Sequence, residues 1–209
     1  MRNATRLIGL AALIAASVSC GDVVRQGSSP VFLVIDLLQG IKGGTGAATP
    51  ASTLFSDVIT NVSTPAPCSP VSPCPTIFSD GGTVTLRAPL KNQGATVTLA
   101  PTTNNEVTIS RVHIEFTRAD GRNVQGVDVP FAFDGAVTGT VPAGGTLVLG
   151  FEMVRHVAKE ESPLIQLRTS ANFISSIAKV TFYGVDRVGN QIQVTGQLQV
   201  EFGNFGDGA

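Results

Sequence analysis

Few residues in this chain are spaced for chemistry. Cys68 and Cys74 lie in Pro65-Ala66-Pro67-Cys68-Ser69-Pro70-Val71-Ser72-Pro73-Cys74-Pro75. The prolines forbid a helix and favour a rigid loop. Two thiols this close point to a disulfide, worth roughly 2 kcal/mol on the chain-entropy model. Metal is the other use of paired thiolates, but no His or further Cys lies near enough to complete a tetrahedral site. The two histidines are His113 and His156. His113 alternates with Arg111 and Glu115, which makes it a solvated sheet residue. His156 lies in the densest charge cluster, Arg155-His156-Val157-Ala158-Lys159-Glu160-Glu161. A helix there would set His156 and Glu160 one turn apart, yet two ligands do not make a metal site. A solvated connecting turn is the plainer reading.

Calcium is the one cofactor that the residues suggest. Asp120, Asn123, Asp186 and Asn190 sit at expected turns and offer the hard oxygen ligands a calcium ion takes. Asp and Asn also favour turns by bonding their own backbone, which needs no metal. Signals for catalysis are missing. There is no Gly-x-Ser-x-Gly elbow and no His-Glu-x-x-His pair. Lys42 precedes Gly43-Gly44-Thr45-Gly46, whereas a phosphate loop needs its lysine after the glycines.

The N-terminus reads as an address. Arg2 and Arg6 precede an uncharged run, Leu7 to Val18. Twelve helical residues rise only about 18 Å, short of a ~30 Å hydrocarbon core. That is the pattern of a secretory signal peptide. Ser17-Val18-Ser19-Cys20-Gly21 closes the segment, and it resembles the lipobox of bacterial lipoproteins. The resemblance implies cleavage after residue 19 and acylation of Cys20, with residues 20–29 as a lipid-anchored tether. Acyl chains anchor by burying methylenes, each contributing about 0.8 kcal/mol. Gly21 rather than Asp follows the cysteine, which the resemblance associates with the outer membrane or the cell surface. With Cys20 lipidated, Cys68 and Cys74 remain as a pair in an oxidising compartment.

Strands must position everything else. From Gln191 to Phe202, Ile192, Val194, Gly196, Leu198, Val200 and Phe202 alternate with polar residues. A period of two over that length marks a strand with one buried face. Ala178 to Val185 precedes it, with Asp186-Arg187-Val188-Gly189-Asn190 as the turn of a terminal hairpin. Thr146 to Val154 alternates with Leu147, Leu149, Phe151 and Met153 inward. Val84, Leu86, Ala88 and Leu90 mark another strand. Val31 to Leu38 is an apolar run broken by Asp36, and Leu54 to Val62 is a weaker candidate. Between Val107 and Phe116 the apolar parity switches, so a β-bulge is expected near Ser110-Arg111. Residues 39–53 and 63–80, rich in Gly, Thr and Pro, read as long loop insertions in the N-terminal half. Only 155–161 is helical in pattern, for a turn or two.

Many strands with Gly- and Pro-rich connections predict an all-β fold in one domain, residues 30–203, with 204–209 as a tail. The stretch Val180-Thr181-Phe182-Tyr183-Gly184-Val185-Asp186-Arg187-Val188-Gly189-Asn190-Gln191-Ile192-Gln193-Val194-Thr195-Gly196 resembles the last two strands of bacterial extracellular immunoglobulin-like domains. The resemblance implies an immunoglobulin-like Greek-key β-sandwich and a structural or adhesive role.

Composition narrows the function. Charged residues make up 14 % of the chain, and the net charge is -1. That balance lacks the basic field a nucleic-acid binder needs. A hydrophobic content of 43 % is enough for a core. These features favour a non-enzymatic lipoprotein of the cell envelope, held to the membrane by its lipid and meeting an envelope protein partner. The alternative is a glycan or small-ligand binding module, which a surface cluster of Phe131, Phe133 and Tyr183 would support. A hydrolase would need two carboxylates facing each other in a cleft. The outer face of the last strand, Gln191, Gln193, Thr195, Gln197 and Gln199, carries no charged guard against strand pairing. Cover by the first strand is one reading, and a partner strand is the other.

Overall fold

The computed structural model describes residues 28–46, 49–91 and 100–205. Cys20, the expected signal peptide, most of the expected tether and residues 206–209 lie outside the described residues.

The chain is all-β. Among the described residues ten strands run in order: β1 (Val34–Ile41), β2 (Thr53–Asp57), β3 (Thr60–Val62), β4 (Cys74–Thr76), β5 (Asp80–Arg87), β6 (Val107–Thr117), β7 (Phe133–Val141), β8 (Thr146–Val154), β9 (Ile174–Asp186) and β10 (Gln191–Gly203). Short 3-10 turns occupy Thr103–Asn105, Val157–Glu160 and Leu164–Thr169. Among the described residues no helix is long and apolar enough to cross a membrane. One sheet has the order β1-β5-β8, and the second has the order β2-β10-β9-β6-β7. A third, small sheet is the β3-β4 hairpin.

The two larger sheets close on one hydrophobic core. Val84 and Leu86 of β5 and Leu149 and Phe151 of β8 face Ile109, Ile114, Val180, Phe182 and Val200 of the other sheet. Phe151 meets Phe182 edge-on, with ring centroids 5.2 Å apart. Gly82 of β5 makes room for this, because a Cβ there would lie 2.5 Å from the Phe151 ring.

The expected bulge is present. The register of β6 shifts between Ile109 and Arg111 against both β7 and β9. Val107 and Ile109 before the shift and Val112, Ile114 and Phe116 after it are therefore all buried. A similar shift between Ile35 and Leu37 sets Asp36 apart in β1, where it pairs with Arg87 at 2.6 Å. The one charge in an apolar run is thus accommodated by a bulge.

Strand limits differ from expectation in the N-terminal half. β1 starts at Val34, because Pro89 has no N–H to give the ladder, which leaves Val31 and Leu90 as an isolated bridge. The segment 54–62 divides into β2 and β3, which join different sheets. The loop 63–80 contains β4, and Cys68 and Cys74 are joined by a disulfide with Cα atoms 5.3 Å apart. This stapled hairpin stands off the core, with Val71 96 % exposed in its loop.

Candidate functional site

The Asp and Asn residues considered for calcium are turn builders. Asp186 Oδ1 accepts hydrogen bonds from the backbone N–H groups of Val188 (3.0 Å) and Asn190 (2.8 Å). Its Oδ2 accepts from Asn190 Nδ2 at 2.8 Å. Burial pushes the Asp186 carboxyl up, but bonds from Asn190, Ser29 and Val188 outweigh this and hold it below the usual carboxylate range. Asn123 Oδ1 accepts from the Arg118 N–H at 2.6 Å. Asp120 is clamped by Arg118 and Arg122, each with a nitrogen 2.7 Å from Oδ2, and these bonds hold its carboxyl far down. The four residues do not converge. Asp186 lies opposite Val107 while Asp120 follows Thr117, so the two turns are at opposite ends of β6, about 30 Å apart at ~3.3 Å per residue. That separation corrects the idea of one four-residue calcium site. Among the described residues no group of three or more His, Cys, Asp or Glu could hold a metal ion.

His113 stands on the outer sheet face as expected, with Nδ1 3.2 Å from Asp134 Oδ1. His156 and Glu160 do not share an α-helical face, because Val157–Glu160 is a 3-10 turn with three residues per turn. Phe131, Phe133 and Tyr183 form no surface cluster. Phe133 is buried beneath the Arg155 guanidinium, while Tyr183 stands on the outer face under that of Arg111.

The charge cluster at 155–161 is where the structure departs furthest from a solvated turn. Lys159 is buried, and its Nζ lies 2.7 Å from Asp80 Oδ2, which is buried as well. Ser56 Oγ donates to the same oxygen at 2.6 Å, and the Gly43 N–H donates to Asp80 Oδ1 at 2.8 Å. Arg168 Nη2 donates to the Lys159 carbonyl at 3.0 Å. Beside this group, Lys42 Nζ pairs with Asp57 Oδ2 at 2.6 Å, and the Phe205 N–H donates to Asp57 Oδ1 at 2.8 Å. Burial pushes the Lys159 ammonium down, against the pull of Asp80 and Asp57. Hydroxyl, carboxylate and amine thus meet where no substrate reaches. The group ties β2, β5, the loop after β1 and the 3-10 turns together.

The open surface is on the five-stranded sheet. β2 runs parallel to β10 but covers only Gln199–Gly203. Cover does not come from the first strand: β1 pairs with β5, and its Ile35 and Leu38 pack against the inner face of Gly196. Residues 191–198 of β10 therefore pair with β9 on one side and with no strand on the other, among the described residues. Their outward side chains are Gln, Gln, Thr and Gln, which give no charge repulsion to an added strand. Alternate amides of 191–198 are expected to exchange hydrogen far faster than those of β9. Uniform protection of both strands in the monomer would rule out a free edge.

Comparison with known proteins finds no matching family model and no matching curated protein.

Proposed function

We propose that this chain is an exported, lipid-anchored envelope protein, whose immunoglobulin-like Greek-key sandwich serves as a structural or protein-interaction module. The strand order supports the fold reading. The first edge is divided between the sheets: β1 pairs with β5, and β2 crosses over to run parallel to β10. The order β1-β5-β8 against β2-β10-β9-β6-β7 is compatible with an immunoglobulin-type sandwich with such a divided first strand. The Cys68–Cys74 disulfide supports export, since such bonds persist in oxidising compartments.

The observation that carries the interaction role is the uncovered half of β10. A strand of a partner protein would add along residues 191–198, with main-chain bonds supplying affinity and the polar row setting register. The sealing of Ser56, Asp80 and Lys159 supports a non-enzymatic reading.

Capture from the native membranes tests both halves. Cys20→Ser is expected to release the protein from membranes, and unchanged membrane association would refute lipid attachment at that residue. Gln193→Lys with Gln197→Lys is expected to abolish recovery of an envelope partner while leaving the melting temperature in place. Undiminished recovery by that double variant would refute edge pairing.

A further inference from the structure

A second surface lies at the other end of β10. Phe55 of β2, Phe173 before β9 and Phe205 after β10 are 54 %, 63 % and 39 % exposed. With Thr53, Gln199 and Glu201 they line a groove of about 470 Å³. Exposed aromatic rings gathered this way lose solvation free energy unless something covers them. They are also held in place. The Phe205 N–H is fixed on Asp57, and Asn204 Nδ2 donates to the Arg168 carbonyl at 3.0 Å. Gly203 seats the Phe205 ring, since a Cβ there would meet that ring at 3.0 Å and the Phe173 Cβ at 3.3 Å. Phe55 and Phe205 stand perpendicular, with centroids 5.6 Å apart.

Glu201 carries the chemistry. It is only 7 % exposed. Its Oε1 accepts from Ser175 Oγ at 2.7 Å and from Gln199 Nε2 at 2.5 Å. Its Oε2 is buried and has no hydrogen-bond partner. An unpaired carboxylate oxygen leaves negative charge that a cation placed nearby offsets. Arg118, a cation in the adjoining depression, is held by Asp120.

We infer that this groove is a binding site for a quaternary ammonium group. A carboxylate with one oxygen unpaired supplies the opposite charge, and the negative faces of phenyl rings attract a cation further. A primary ammonium would bring three N–H donors, yet Oε2 is the one buried acceptor left unpaired here. A quaternary ammonium brings no donor and places methyl groups against the rings. Oε2 is itself buried, so the cation lies in the groove against the rings and is drawn by the carboxylate's charge without touching that oxygen. The site depends on neither lipid anchoring nor edge pairing.

The test is an NMR titration of the folded protein with choline chloride against sodium chloride. Saturable shifts are expected at Phe173, Phe205 and Glu201. The neutral tert-butyl isostere, dimethylbutanol, is expected to bind at least about tenfold more weakly. Glu201→Gln and Phe173→Ala are each expected to weaken choline binding about tenfold, and Phe173→Ala, at an exposed ring, should leave the melting temperature unchanged. Equal binding of the isostere would make the groove merely apolar and overturn the proposal. So would equal binding of n-butylammonium, unchanged binding in both variants, or the absence of saturable shifts. Retention on phosphatidylcholine vesicles, but not on phosphatidylglycerol vesicles, would support the site with a lipid headgroup as its source. Binding of free choline without retention would support it with a solute as source.

Discussion

Asp80→Ala is expected to destabilise the fold by about 3–5 kcal/mol, because it strands a buried ammonium. Lys159 has its Nζ 2.7 Å from Asp80 Oδ2, with both side chains essentially without exposure. Removing the carboxylate also deprives the Ser56 hydroxyl and the Gly43 N–H of their acceptor. For a domain of this size the loss corresponds to a fall of roughly 6–20 °C in melting temperature. Lys159→Met should cost less, since Asp80 keeps two neutral donors. Combining Lys159→Met with Asp80→Asn should recover much of the loss, because a neutral pair leaves no buried charge. Urea unfolding of the four proteins measures this, and an Asp80→Ala cost within about 0.5 kcal/mol of zero would show the pair to be solvated. Alkaline pH gives an independent reading. Burial lowers the folded-state pKa of Lys159, so the folded chain sheds this proton more readily than the unfolded chain. Between the folded midpoint and about 10.4 the unfolded state binds more protons, so stability rises with pH across that window. Wild type should therefore gain on Lys159→Met as pH rises through it.

This pair also marks how far the sequence could be read. Wherever periodicity was the signal, the strands came out: β8 and the β9–β10 hairpin follow the alternation closely, and the parity switch located the bulge in β6. A bulge is legible because only one added residue restores the apolar set to a single face. Burial of Lys159 was not legible. The lysine stands among Arg155, Glu160 and Glu161, and the acid that neutralises it lies far back in the chain, at Asp80. A hint lay in Val157, Ala158, Leu164 and Leu167, apolar residues too many for a solvated turn; Ala158, Leu164 and Leu167 are buried. The turn residues Asp120, Asn123, Asp186 and Asn190 could not be told from ligands by type, since one oxygen chemistry serves both uses. Strand pairing sets the two turns at opposite ends of β6, so the four cannot share one ion. The Phe55, Phe173 and Phe205 groove comes from three distant segments and has no local pattern at all.

Phe182→Ala is the core substitution expected to cost most, about 3–5 kcal/mol. The ring is fully buried at the middle of β9, between β6 and β10, where both neighbouring strands pair with it. It meets Phe151 of the opposite sheet edge-on, so its loss removes area, opens a cavity and breaks an aromatic pair across the sandwich. Collapse cannot refill the space readily. On the far side, Phe151 already rests against Gly82, whose missing side chain the ring occupies. Backbone hydrogen bonds on both edges of β9 keep the sheet from moving inward. Phe182→Leu retains most of the volume and should cost clearly less than alanine. Gly82→Val tests the same contact from the other sheet: its added carbons meet the Phe151 ring, and a cost of about 1–3 kcal/mol is expected from overpacking. Since Phe151 and Phe182 touch, the Phe151→Ala and Phe182→Ala costs should not add, and a double-mutant cycle should return a coupling of about 0.5–1.5 kcal/mol. Additive costs would mean that the two sheets are held together by area alone and not by this pair.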